Sequence, residues 1–166
     1  LGIAARFLSG DDRNDKLAEH LLSRQMADGG WNCRQPQGAT HSSLHTTILA
    51  LEGLLEYEDG GGGLARRTRE ARTRAHEFLF AHQLYRSHRT GHIVDAAFTR
   101  FPFPPQWHYD VLRGLEHFRS ASAPPDERLA DAINVVRAAR RADGVWPFYR
   151  PYPGRQWFRL EERGPS

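Results

Sequence analysis

The sequence predicts an all-α chain built of helical hairpin repeats. Three observations carry this. The run Ala27-Asp28-Gly29-Gly30-Trp31 returns as Ala142-Asp143-Gly144-Val145-Trp146, 115 positions later. The segments around these runs place apolar residues three and four apart, the spacing of one helix face. Nowhere does an apolar/polar alternation of period two persist long enough to make a strand.

The repeat is the strongest of the three. Midway between the two tryptophan-bearing runs lies a degenerate copy, Phe78 to Gly91, with Gln83 standing 58 residues after Gln25. Each unit then reads as a leading helix, a turn and a trailing helix. Glycine suits the turn because a helix C-terminus favours a left-handed residue. The tryptophan that follows is a large apolar plate suited to packing between units. The leading helices are expected at about 15–24, 64–82 and 126–140. The first trailing helix is expected over 42–57, with Leu44, Ile48, Leu51, Leu54 and Leu55 on one face and Thr40 or Ser42 as its cap. The second is expected over 107–119, with Trp107, Val111, Leu112, Leu115 and Phe118 on one face. The prolines of Phe101-Pro102-Phe103-Pro104-Pro105 forbid helix before it. Leu1 to Leu8 reads as the tail of another trailing helix, and the sequence stops at Gly164-Pro165-Ser166 where a third should begin. The expected organisation is one partial domain over 1–166, with units at about 11–57, 64–119 and 126–166. A missing partner helix would leave an apolar edge for self-association or a second chain.

Composition narrows the function classes. The net charge of +3 suggests nucleic acid until the residues are counted: Lys16 is the only lysine and the other 22 basic residues are arginine. The 20 acidic residues are interspersed, and the dense run Arg66 to Arg74 would spread over a solvated helix face, so no nucleic-acid partner is expected. No apolar run reaches the roughly 18 residues that span a bilayer, and no signal peptide opens the sequence. Cys33, the one cysteine, permits no internal disulfide. These features lead to a cytoplasmic expectation. Asp59-Gly60-Gly61-Gly62-Gly63 lacks the lysine and spacing of a phosphate loop and is expected to be a flexible connector. No Gly-x-Ser-x-Gly is present to mark a hydrolase nucleophile.

Gln25-Met26-Ala27-Asp28-Gly29-Gly30-Trp31 resembles the QW repeat of squalene-hopene and oxidosqualene cyclases. Thr46-Thr47-Ile48-Leu49-Ala50-Leu51-Glu52-Gly53-Leu54 resembles the inner helix that follows that repeat, and the same hairpin builds the β subunits of protein prenyltransferases. The resemblance implies part of an (α/α) toroid, a double ring of helices around an apolar cavity, and an isoprenoid or other apolar small molecule as substrate. The catalytic motifs do not carry over. The Asp-x-Asp-Asp acid of the cyclases is absent, and so is the Asp-x-Cys zinc pair of the prenyltransferases. A non-catalytic lipid- or peptide-binding module, or an assembly module of hairpins, is the competing expectation.

Three residue sets could carry chemistry. Cys33, His41 and His45 offer one thiol and two imidazoles four residues apart at a helix start, a donor set that zinc accepts; equally, the cysteine is a small apolar residue and the histidines a polar rim. His108 and Asp110 could do acid–base work, with His45 from the neighbouring hairpin; equally, Asp110 in a first turn simply favours the helix dipole. Trp107, Tyr109 and Phe103 could bind an apolar substrate or steady a carbocation, whereas Trp31 and Trp146 are expected to be packing plates. Asp95 is a weaker third acid, and His82, His88 and His92 crowd the degenerate turn, where they read as loop polarity or a place for adventitious metal.

Overall fold

In the computed structural model of this chain, residues 1–154 are described. Among them there are six α-helices, three short 3-10 turns, one isolated antiparallel bridge between Arg86 and Ile93, and no strand. The third unit beyond residue 154, with its expected trailing helix, lies outside the described residues. The chain divides into two compact units, Leu1–Ala81 and His82–Ser166. The boundary falls after the second leading helix, inside the second repeat.

The first unit contains α1 (Gly2–Phe7), α2 (Asp12–Ser23), α3 (Leu44–Asp59) and α4 (Ala65–Ala81). The trailing helix α3 is central and packs against α1, α2 and α4. Of its expected face, Leu44, Ile48, Leu51 and Leu54 are within the core and Leu55 is half-buried. Asp11 starts α2 by accepting from the Arg13 amide at 2.9 Å. Ser42 does not cap α3. Its amide and hydroxyl instead go to the Asp28 carboxylate, which ties the turn to the start of the trailing helix. Most of the arginine run on α4 is solvated as expected. Arg72 is the exception: it is buried and makes a two-pronged ion pair with Glu58 of α3, at 2.8 and 2.9 Å.

The second unit contains α5 (Val111–Ser120) and α6 (Ala130–Ala138), which pack together. Leu84, Tyr85, Phe98, Tyr109, Val111, Phe118, Leu129 and Ala132 are its buried apolar residues. The trailing helix begins four residues later than expected. Trp107 belongs to the preceding turn, where the His108 amide donates to the Pro105 carbonyl at 3.0 Å. Trp107 and Leu112 are exposed, and the buried face of α5 consists of Val111, Gly114, His117 and Phe118.

The repeated turn keeps the same backbone and indole hydrogen bonds. Trp31 Nε1 donates to the Leu21 carbonyl at 2.8 Å, and Trp146 Nε1 to the Val136 carbonyl at 2.8 Å. The Met26 amide donates to Gly30 at 2.9 Å, and the Arg141 amide to Val145 at 2.8 Å. Gly29 and Gly144 are both left-handed, with φ of 95° and 86°. Gln25 Nε2 donates to the Gly29 carbonyl at 2.6 Å; Arg140, at the matching position, donates through Nε to the Gly144 carbonyl at 2.7 Å. The degenerate middle turn instead puts Gln83 and Leu84 in the left-handed region, at φ of 44° and 67°.

Candidate functional site

The start of α5 gathers the densest set of chemically capable groups in the second unit. Asp110 is extended and caps the helix, its Oδ1 accepting from the Arg113 amide at 2.8 Å. Arg113 turns its guanidinium back and donates from Nη1 to the carbonyls of Gln106 at 2.9 Å and His108 at 2.7 Å. One side chain thereby fixes the loop before the helix to the helix itself. Gly114 leaves room for the Tyr109 ring. An added Cβ there would lie 2.6 Å from the Tyr109 hydroxyl oxygen.

An aromatic stack stands beside this cap. His108 is sandwiched between Trp107, with ring centroids 3.8 Å apart, and Tyr152, at 3.5 Å and nearly parallel. Tyr109 is fully buried and meets Phe98 edge-on at 5.2 Å. Phe103 and Trp107 are exposed.

Burial sets the proton affinities here. It raises the Asp110 carboxyl to about 6, although the amides of Arg113 and Leu112 and the charge of Arg113 pull the other way. It lowers His108, so the imidazole is neutral near neutral pH. It raises Tyr152, with the Asp110 and Asp95 charges adding to the effect. Asp110 is thus a carboxyl that gains and loses its proton near the working range, beside one neutral imidazole and one protonated phenol.

The other expected residues are placed as follows. Cys33 and His41 are exposed in the loop before α3, and His45 is half-buried in the first turn of α3, in the first unit. Among the described residues, no group of three or more His, Cys, Asp or Glu side chains comes together as a metal ion would need. The zinc expectation rests on spacing alone. Asp95 caps a short 3-10 turn, Ala96–Thr99. Trp31 is a packing plate, 2% exposed. Tyr152 and Arg113 were not legible as site members. They reach His108 from 44 residues downstream and from the next helical turn, and no local pattern announces either.

Among the described residues the fold is all-helical, with a carboxyl–imidazole–aromatic cluster at one helix start. Comparisons with protein-family models, curated proteins and solved structures find no match. Among the described residues no helix is long and apolar enough to cross a membrane.

Proposed function

We propose that this chain is a hairpin module of the (α/α)-toroid kind that takes an isoprenoid or other apolar ligand against the Trp107–His108–Tyr152 stack, with Asp110 as its proton-transfer group. The observation that carries the reading is the buried Asp110 carboxyl, titrating at about 6 beside that stack. Alkene protonation needs a proton on the acid, and a carboxyl raised to about 6 keeps a fraction of it near neutral pH that an ordinary aspartate does not. The π electrons form the new C–H bond, and the cation left behind is steadied by aromatic faces until it loses a neighbouring proton or takes up water. The repeated Gly–Trp turn supports the architectural half of the proposal.

A second reading has its own support. Asp110 Oδ1 is committed to the helix cap, as Asp11, Asp95 and Asp126 are elsewhere. In that case the module binds a lipid or peptide, or assembles with another chain, without catalysis.

The experiment that separates them uses farnesol in D2O, with tryptophan fluorescence for binding and mass spectrometry for deuterium gained at carbon. Asp110→Asn keeps a good cap but removes the acid. The catalytic reading expects micromolar binding in both forms and deuterium incorporation only in the parent. Binding without incorporation in either form selects the second reading, and no farnesol binding at all ends both ligand proposals. The same variant tests the pKa. A carboxyl raised from 3.8 to about 6 is bound more tightly by its proton in the fold. Its ionisation cost is therefore absent below about pH 4 and complete above about pH 6. Stability should fall across that window by up to about 3 kcal/mol, and Asp110→Asn should abolish the fall in urea titrations.

A further inference from the structure

The degenerate middle turn brings two histidines together in a way that the rest of the site does not use. Nδ1 of His88 and Nε2 of His82 stand 3.1 Å apart, with the rings edge to face at 4.8 Å. We infer that His82 and His88 form a two-imidazole chelate for a late first-row divalent metal ion.

The geometry fits. Imidazole nitrogens bind such ions at about 2.0–2.1 Å, so two nitrogens 3.1 Å apart subtend roughly 100° at a shared ion, between the right angle and the tetrahedral angle. The tautomer that carries each ring's proton on its far nitrogen leaves a lone pair on both facing nitrogens, His88 Nδ1 and His82 Nε2.

The frame holding the pair is fixed at both ends. The His82 carbonyl accepts from the amides of Tyr85 at 2.9 Å and Arg86 at 2.6 Å, directly after α4. His88 sits in a turn closed by Gly91 N to Ser87 O and by Ser87 N to His92 O, both at 2.8 Å. Arg86, between the two histidines in sequence, is held by Asp131 at 2.8 Å and donates to the Gly91 carbonyl at 3.1 Å. Among the described residues no third His, Cys, Asp or Glu joins the pair, so the two imidazoles are the ligands the proposal assigns.

The order of affinities favours Cu2+ as the probe. Titrating the whole chain with Cu2+ in a weakly coordinating buffer is expected to fill one site whose electron paramagnetic resonance spectrum shows two imidazole nitrogens. His88→Ala and His82→Gln should each weaken that site at least about tenfold, since either removes a ligand held at high effective concentration. His88 is exposed, so its loss leaves the fold intact. Cys33→Ser and His41→Ala should leave binding unchanged. Binding that survives both His82 and His88 variants, binding lost with Cys33→Ser, or no binding above that of the buffer would each overturn the inference.

Discussion

The turns ending at Trp31 and Trp146 share one set of backbone and indole hydrogen bonds and differ in almost everything around it. Trp31 is 2% exposed and Trp146 is 44% exposed. Around the first, α3 supplies Thr47, whose Oγ1 accepts from the Trp31 amide at 3.0 Å, and α4 supplies the Ala71 carbonyl, which accepts from Gln25 at 2.7 Å. No helix follows Trp146 among the described residues. The turn is therefore a locally determined object: a left-handed glycine and an indole bonded ten residues back hold its shape whether or not it is covered. The side chains record the difference. Gly30 faces Thr47 and Ser42 so closely that an added Cβ would lie 2.5 Å from Thr47 Oγ1, whereas the matching residue is Val145, 58% exposed.

Breaking the two turns in parallel should give unequal costs. Trp31→Ala removes a buried plate and should cost about 3–5 kcal/mol in urea unfolding; Trp146→Ala should cost about 1 kcal/mol or less. Equal losses would mean that the third turn is covered as the first is. Gly29→Ala adds a Cβ 2.5 Å from the Arg74 carbonyl oxygen on top of left-handed strain, and should cost more than about 2 kcal/mol. Gly144→Ala meets only the movable Arg140 Nη2 at 3.0 Å and should cost about 1 kcal/mol, the strain alone. The finest comparison is Gln25→Ala against Arg140→Ala. The first loses donors to Gly29 and Ala71 and the acceptor used by Arg74, about 1–2 kcal/mol by thermal melting. The second loses one exposed bond and a cation–π contact with Trp146, below about 1 kcal/mol.

What the sequence disclosed follows the same division between local and distant causes. Helix positions, the buried face of α3 and the two Gly–Trp turns are written in spacing and in residues with strong backbone preferences. The Arg72–Glu58 pair is not, because an arginine in a charged run looks the same whether it meets solvent or a buried carboxylate. The start of α5 was misplaced because Trp107 continues the apolar spacing of a helix that Asp110 begins. Tyr152 over His108, and His88 against His82, are contacts made by folding and carry no period. The middle turn is legible through Gln83 and Gly91, but its left-handed Leu84 is not, because no glycine marks that position.

The Gly60–Gly63 run reads as slack, and the fold gives it a different character. Gly62 lies flat on the Tyr57 ring, where an added Cβ would fall 2.2 Å from Cζ. The Tyr57 hydroxyl bonds Asp15 of α2 and accepts from the Leu64 amide at 2.9 Å. Together they line a cleft of about 110 Å³ with Asp11, Asp12 and Asn14. Gly62 is moulded to that phenol and Gly63 to the Asp15 carboxylate that the phenol bonds. For anyone engineering this protein, the most linker-like stretch of its sequence is thus a poor place to splice in a tag or a second domain, despite the usual tolerance of surface loops.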